Sequence, residues 1–379
     1  MKIGLVAPGG FDRSGTERVI PVFLWLVERL ARCHEVHVVT LNQYPQPDRY
    51  PLLGATVHNI GHPGGSRRAS RQMLPVWRLL AQEHRRKPFD VLQGLWAGEA
   101  GLIAVLCGRL LGVPSVVTVA GGELTALPEI GYGWQLKPGG RMVVASALRL
   151  ATAVTCATEY MVRRVRPHRP DVHRILLGVD CGLFTPLEVA LPGPPWRLLH
   201  VASLNRVKDQ PTLLRAFARL RAEEPEVRLD IVGVDTLGGE IQRLAKTLGL
   251  AEHVAFHGFE TSAQVAARLR ESHLLLHSSL SEAGQMVVLE AGACRVPSVG
   301  TDVGHIADLA PEAAIAVPVG DAEALAQAAV ALLRDPARRE RLAANAFDFV
   351  CQHNADYTAE QYELLYHQLA LNARSGRRP

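Results

Sequence analysis

The sequence predicts an α/β protein of two domains, each built on a parallel β-sheet, with a helical tail after the second. Three observations carry this expectation. At 379 residues the chain exceeds the ~100 to 200 residues of one typical domain. Its 48% hydrophobic content supplies enough apolar surface for sizeable cores. Short β-branched runs alternate with longer stretches of helical period, and the pattern starts afresh in the second half of the chain.

In the first half the strand-like runs are Lys2 to Ala7, Glu35 to Leu41, Thr56 to Ile60, Asp90 to Gly94, Ser115 to Ala120 and Ala153 to Ala157. Helical patterns lie between them near 17–32, 68–86, 98–111 and 141–150. Continuous apolar strands separated by helices belong to a sheet covered on both faces, a Rossmann-like arrangement. The second half repeats it with runs at 197–204, 227–233, 253–258, 273–278, 297–301 and 314–318. Between the halves, residues 187–196 (LEVALPGPPW) hold three prolines and a glycine and read as a stiff connector. After Asp321 three helical stretches follow, broken at Asp335-Pro336 and near His353-Asn354. The expected domains are therefore 1–186, a linker at 187–196, 197–350, and a final helix at 351–379 returning to the first domain.

Six cysteines lie far apart, with no CxxC and no Cys/His cluster at metal-ligand spacing, which argues against a disulfide framework, a structural zinc or any resident metal. The first apolar run ends at Pro-Gly-Gly, too early for a secretory signal, and the longest apolar stretch, Met142 to Thr158, contains Arg149 and is too short to cross a bilayer. A cytoplasmic protein is expected. Its charge is polarised: residues 1–180 carry 22 Lys+Arg against 13 Asp+Glu, and residues 181–379 carry 19 against 24. The basic clusters are Arg67, Arg68 and Arg71, then Arg85, Arg86 and Lys87, then Arg163, Arg164, Arg166 and Arg169. Such groups solvate helix surfaces or attract anionic ligands, lipid included. Nucleic acid is disfavoured as a partner, because these groups lack interleaved aromatics.

No GxGxxG follows a strand, no Gly precedes Lys, and neither HExxH nor GxSxG occurs, so dinucleotide oxidoreductases, P-loop NTPases, zinc proteases and lipase-type hydrolases lose support. The site is then sought at the carboxyl ends of the strands, where open parallel sheets bind ligands. The strongest local signal is LLLHSSLSEAGQMVVLEAGACRVPSVGT, residues 274–301. A strand enters a Ser-rich turn, then Glu282 and Gly284, then a helix from about Gln285 to Ala293 that is apolar nearly all round yet contains Glu290. A carboxylate in such a helix needs a partner, either a core Arg or His or a ligand hydroxyl. The free N–H groups near Gly284, Gln285 and Met286 suit an anion such as a diphosphate, while Glu282 either flanks that anion or caps the helix. Lys208 lies in the loop after the first strand of the second domain, where it can meet phosphate as a point charge, and Arg206 can do likewise. In the first domain, APGGFDRSGTERV places Gly9, Gly10 and Gly15 after the first strand, either as a flexible loop or as backbone open to a phosphate or sugar.

Taken together, these residues resemble the retaining nucleotide-sugar glycosyltransferases of family 4, with the GT-B architecture of two facing Rossmann-like domains and a C-terminal tail packing across both. The E-x7-E motif is matched by Glu282 and Glu290, and the resemblance implies that Glu282 contacts the donor sugar near the reacting centre while Glu290 binds the donor ribose. The strand-loop motif GRLxxxKG is matched by ASLNRVKD, with Ser203 in place of the arginine, Arg206 near enough in sequence to substitute, and Lys208 on the diphosphate-binding lysine. Gly233 matches the glycine after the second strand, Gly258 and Phe259 fall in the nucleotide-base loop, and LLGVDCGLFTP matches the domain-boundary signature. The N-terminal GGxE loop is matched by Ser14, Gly15, Thr16 and Glu17. Two stretches depart from the pattern: a customary His-Gly reads Ala120, Gly121, Gly122, Glu123, and the usual EGFG reads Glu282, Ala283, Gly284, Gln285. The resemblance implies metal-free transfer with retention from a nucleotide-diphosphate sugar to a glycan, lipid-linked or small-molecule acceptor, Lys208 and Glu282 being the catalytic candidates and closure of the domains excluding water. The N-terminal domain would receive the acceptor, with peripheral contact to an anionic membrane through its arginines. A noncatalytic nucleotide-sugar-binding protein and a nucleotide-sugar epimerase on a similar scaffold are the alternatives.

Overall fold

The computed structural model describes residues 1–61, 69–189 and 191–375, and the side chains of 69–71 lie outside the description. The chain divides into two units, Met1–Leu177 with Ala355–Pro379, and Gly178–Asn354.

The first unit is built in the order β1 (Lys2–Ala7), α1 (Pro21–Ala31), β2 (Glu35–Thr40), β3 (Asp48–Leu52), β4 (Ala55–Asn59), α2 (Ala69–Arg86), β5 (Val91–Leu95), α3 (Glu99–Leu111), β6 (Ser115–Val119), α4 (Pro138–Leu150), β7 (Ala153–Cys156), α5 (Glu159–Val165) and β8 (His173–Arg174). Its sheet has the order β3-β4-β2-β1-β5-β6-β7-β8. Only β3 is antiparallel, as a hairpin partner of β4. The sequence pattern does not reveal β3, because a charged, proline-containing edge strand has no apolar run to mark it. The central strands β1, β5 and β6 are buried along their whole length, as continuous apolar strands between two helical layers must be.

The second unit runs β9 (Trp196–Val201), α6 (Gln210–Glu223), β10 (Val227–Val232), α7 (Glu240–Thr247), β11 (Val254–Gly258), α8 (Ser262–Arg270), β12 (Leu274–His277), α9 (Met286–Ala293), β13 (Ser298–Thr301), α10 (Gly304–Leu309), β14 (Ala314–Val317), α11 (Ala322–Arg334) and α12 (Pro336–Gln352). Its six strands are ordered β11-β10-β9-β12-β13-β14, and every pairing is parallel. One core joins Leu198, Leu229, Ile231, Leu274, Leu276 and Val299 of the sheet to Leu213, Phe217 and Leu220 of α6 and Leu325, Ala329 and Leu333 of α11.

The last helix, α13 (Ala355–Arg374), belongs to the first unit. Tyr362 and Tyr366 are fully buried there. The Tyr362 hydroxyl lies 3.0 and 3.1 Å from the hydroxyls of Thr118 and Thr155, and Tyr366 donates to Gln93 Oε1. The Thr358 hydroxyl donates to the Leu176 carbonyl at 2.8 Å. The junction differs from the one read at 187–196: the chain leaves the first unit after Leu177 and re-enters it at Ala355. The two crossings lie side by side, for a Cβ on Gly178 would come within 2.2 Å of the His353 carbonyl oxygen. Prolines mark where a chain is stiff, whereas the junction is set by which segments pack together.

At the amino ends of β1 and β2, a buried polar cluster replaces apolar packing. The Lys2 ammonium is 1% exposed and reaches the carboxylates of Glu35 at 3.2 Å and Glu83 at 3.4 Å. His37 Nε2 donates to Glu35 at 3.0 Å, and the His37 and His58 rings stack with His37 Nδ1 3.0 Å from His58 Nε2. Burial pushes both imidazoles down, His58 to about 4. Both are therefore neutral in the fold and charge readily only when unfolded, so stability is full above pH ~6.5 and falls as pH drops toward 4. His58→Gln should remove up to about 3 kcal/mol of this pH dependence. Thermal denaturation between pH 7 and 4.5 checks it: the melting temperature of the variant should fall less steeply than that of the parent.

Candidate functional site

In the second unit, the loops that follow β9, β10, β11 and β12 all emerge at the carboxyl edge of the sheet, and they carry most of the residues singled out from sequence. The β9 loop turns through Arg206–Lys208, with Asp209 in the left-handed region (φ 46°), and its carboxylate caps α6 through the Thr212 N–H. The loop is then stitched to the one after β12: the Leu280 N–H donates to the Val207 carbonyl at 2.8 Å, and the Ser278 hydroxyl to the Lys208 carbonyl at 2.8 Å.

That stitching brings Lys208 and Glu282 together across 74 residues of chain. Lys208 Nζ lies 2.5 Å from Glu282 Oε1, with the two side chains 21% and 11% exposed. The same oxygen accepts from the Ser279 hydroxyl at 2.6 Å. Glu282 is thus held by side chains and does not cap α9, whose N-terminus receives no side-chain cap at all. The first N–H groups of α9 remain available to an anion. Behind the pair, His277 and His200 are buried with ring centroids 5.6 Å apart. Burial and the neighbouring Lys208 cation push the His277 pKa well down, and burial pushes His200 down to about 4. The positive charge at the site therefore resides on Lys208 and not on the imidazoles beneath it.

Glu290 lies on α9, just over one turn beyond its start at Met286, and is 9% exposed. Burial alone raises its carboxyl to about 7. No described side chain forms an ion pair or hydrogen bond with that carboxylate, so the reading of a core salt bridge is not realised. A nearly buried carboxylate without a protein partner is a group waiting for an external donor.

The remaining residues divide between framework and contact surface. Gly233 has φ 149°, and a Cβ there would stand 2.0 Å from the Ala202 carbonyl oxygen, so only glycine lets β9 and β10 close at this point. Its N–H donates to the Gly258 carbonyl at 2.8 Å, which ties the base-loop segment at the end of β11 to the end of β10. Gly258 has φ 69° and Phe259 is 52% exposed, which leaves an aromatic face free at the same edge. Ser203 accepts from Asn205 Nδ2 at 2.8 Å and stays beside the loop it supports. Met286 opens α9 and is partly exposed. Gly284 packs on the His305 ring, where a Cβ would be 2.8 Å from Nε2. Gln285 is a bracket: its amide donates to the Val303 carbonyl at 2.9 Å and accepts from the His305 N–H at 2.7 Å. Only its backbone can serve a ligand. Arg206 points elsewhere, 3.6 Å from Glu240 with its side chain 60% exposed, and does not join Lys208.

In the first unit the N-terminal loop is internally satisfied. The N–H groups of Gly10 and Phe11 both donate to Gln43 Oε1, at 2.7 and 3.0 Å, and those of Thr16 and Glu17 reach the Ser14 hydroxyl. Gly15 takes φ 69° in the turn, its N–H on the Asp12 carbonyl. Glu123 is 1% exposed and accepts from the Ala97 and Ala120 N–H groups at 3.0 and 3.2 Å, fastening together the segments after β5 and β6. Burial raises its pKa. Gly121 and Gly122 leave no room for a Cβ, the first against Trp96 and the second against Tyr132. The Glu123 carboxylate in this stretch is engaged by backbone N–H groups. Sequence reasoning missed Gln43 and His277, whose partners Gly10 and His200 are distant in the chain, and Ser279, whose hydroxyl bonds Glu282 only three residues on.

The basic clusters are largely engaged. Arg86 pairs with Glu83 and Lys87 with Glu35, both at 2.8 Å. Arg169 chelates Asp171 and three backbone carbonyls, Arg164 lies over the Tyr160 ring, and Arg166 stands 3.9 Å from Glu159. Arg163 is exposed. Arg67 and Arg68 lie outside the described residues, as does the Arg71 side chain. Among the described residues no group of three or more His, Cys, Asp or Glu side chains is arranged to hold a metal ion, and no helix is long and apolar enough to cross a membrane.

Comparison with known proteins agrees with this geometry. Residues 187–349 match the family of glycosyl transferases group 1, and residues 19–177 match a glycosyl transferase 4-like domain. The chain is 25% identical to an N-acetyl-alpha-D-glucosaminyl L-malate synthase of Bacillus anthracis, over 100% of its own length and 99% of the relative's. It is 29% identical to a D-inositol 3-phosphate glycosyltransferase of Rhodococcus opacus, over 95% and 88% of the two chains. Its fold matches that of sucrose-phosphate synthase from Thermosynechococcus elongatus with a TM-score of 0.84, at 21% identity over 97% and 99% of the chains. With both family domains in sequence and a fold shared along nearly its whole length, the chain belongs to the family-4 type of GT-B glycosyltransferases and is a nucleotide-sugar glycosyltransferase.

Proposed function

We propose that the protein transfers a sugar with retention of anomeric configuration, without a metal, from a nucleotide-diphosphate sugar to an anionic hydroxyl acceptor. The observation that carries the donor assignment is Glu290, a carboxylate with no partner among the described side chains, eight residues beyond Glu282, on a helix with no N-terminal side-chain cap that begins four residues after the glutamate paired with Lys208. The ribose hydroxyls would donate to Glu290, the diphosphate would sit on the α9 N–H groups and Lys208, and Phe259 would meet the base. As the bond from C1 to the diphosphate oxygen breaks, negative charge grows on the leaving phosphate, and Lys208 and the helix terminus stabilise it. The acceptor oxygen bonds to C1 on the same face and its proton passes to the departing phosphate. Glu282, released from Lys208 by the diphosphate, would hold the sugar. Fixed cations and N–H dipoles take the part that a metal plays elsewhere.

The anionic acceptor is supported by the excess of basic residues in the first half of the chain and by the names of the relatives, which contain the anionic compounds L-malate and D-inositol 3-phosphate. A phosphorylated or lipid-linked acceptor at an anionic membrane surface fits the same charge. A binding-only protein is the alternative that turnover excludes.

Transfer from a panel of nucleotide sugars, in excess EDTA, is the deciding experiment. Turnover should persist with chelator and favour anionic over neutral acceptors, with the preference shrinking as salt rises; rescue by added manganese would overturn the metal-free scheme. Lys208→Ala should lower kcat by roughly 100-fold or more, about 2.7 kcal/mol of lost charge stabilisation, with little change in melting temperature. Glu290→Gln should weaken donor binding by about 1.5 to 3 kcal/mol in calorimetry. The same variant should melt a few degrees higher than the parent above pH 7. A buried carboxyl with a raised pKa costs stability as pH climbs through 4.5 to 7, and the amide avoids that ionisation.

A further inference from the structure

A cavity of about 490 Å³ in the second unit lies at the edge of the sheet opposite the candidate site. Ser272, His273 and Pro297, which precede β12 and β13, form its floor, whereas Lys208 and Glu282 lie beyond the carboxyl ends of the same sheet. The four residues of β12 separate the two places by ~13 Å. Its charged lining is Arg270, Arg295 and Arg339 against Glu188 and Glu340.

The guanidiniums are poorly compensated. Arg270, the last residue of α8, has no hydrogen-bond or ion-pair partner among the described residues. Arg339 donates to the Leu332 and Leu333 carbonyls at the end of α11 and stacks over the Trp196 ring, but no described carboxylate comes within 4.0 Å of it. Burial lowers its pKa despite the opposing pull of Glu340 and Asp335, neither of which pairs with it directly. Arg295 is held at φ 56° over the Phe347 ring, with Glu340 no nearer than 3.8 Å and that glutamate side chain 63% exposed. Three guanidiniums lining one cavity with N–H groups to spare can meet the oxygens of a phosphate group bidentately, and the volume suits a small metabolite.

We propose that this cavity binds a soluble phosphate monoester of about hexose phosphate size, as a site separate from that of the nucleotide sugar. Arg339 is its fixed anchor, and Arg270 and Arg295 close on the phosphate from the two flanks.

The test is calorimetric titration with glucose 6-phosphate while saturating UDP occupies the site of the sugar donor. Saturable binding should be seen, weakened at least tenfold in Arg270→Gln and in Arg295→Gln and unchanged in Lys208→Ala. The UDP affinity of the two arginine variants should match that of the parent, which also verifies that they fold. Absence of saturable binding under UDP overturns the proposal. Binding that survives both arginine substitutions, or disappears with Lys208→Ala, overturns it by placing the ester elsewhere. Arginine-dependent binding to phosphatidate vesicles but not to glucose 6-phosphate overturns the soluble ligand in favour of a lipid headgroup.

Discussion

Parallel pairing is the constraint on which the rest depends. Two parallel strands cannot be joined by a tight turn, so each strand must be followed by a loop at one edge and a crossover helix along a face. In the second unit this rule sends the loops after β9, β10, β11 and β12 to the same edge, and residues 203, 208, 233, 258 and 282 meet there although the chain between them spans most of the sheet. The helices covering both faces in turn require strands apolar on both sides, and the fully buried β12 and β13 are of that kind. A site at the carboxyl edge is thus a consequence of topology before any side chain is chosen.

The side chains then settle the electrostatics. Lys208 pairs with Glu282, and Glu282 keeps its place because Ser279 and Lys208 share one of its oxygens. The two histidines below are held neutral by burial and by the same cation, so they add polarity without competing charge. Glu290 is the exception to this mutual satisfaction. A carboxyl raised to about 7 by burial, with no described partner, is costly to the unliganded fold, and this cost is what supports the proposed binding role. The departure at Gln285 fits the same economy of contacts: its side chain is committed to Val303 and His305, leaving its backbone to the helix terminus.

The first unit shows how polar groups can serve packing. Glu123, Gln43 and the buried Lys2 cluster each satisfy backbone or charged groups that the parallel sheet leaves at its ends. α13 supplies the corresponding covering element on that unit, inserting two tyrosines whose hydroxyls bond to Thr118, Thr155 and Gln93 in place of a purely apolar seal.

Most strands, the order of elements, the three C-terminal helices and the E-x7-E carboxylates were legible in the sequence, because apolar periodicity and local spacing are properties of short segments. β3 was not, since its charged residues and proline carry no alternation to detect. The junction at Leu177 and Ala355, the diversion of Arg206 to Glu240, the closure of the Gly10 loop by Gln43 and the pairing of Lys208 with Glu282 were decided only by tertiary structure. Each joins residues far apart in the chain, and a contact of that kind depends on how the sheet's crossovers return, which no local pattern encodes. The sequence by itself determined that Glu290 would need a partner; only the packing around α9 decided that no described side chain provides one, because that depends on which elements the crossovers bring against the helix.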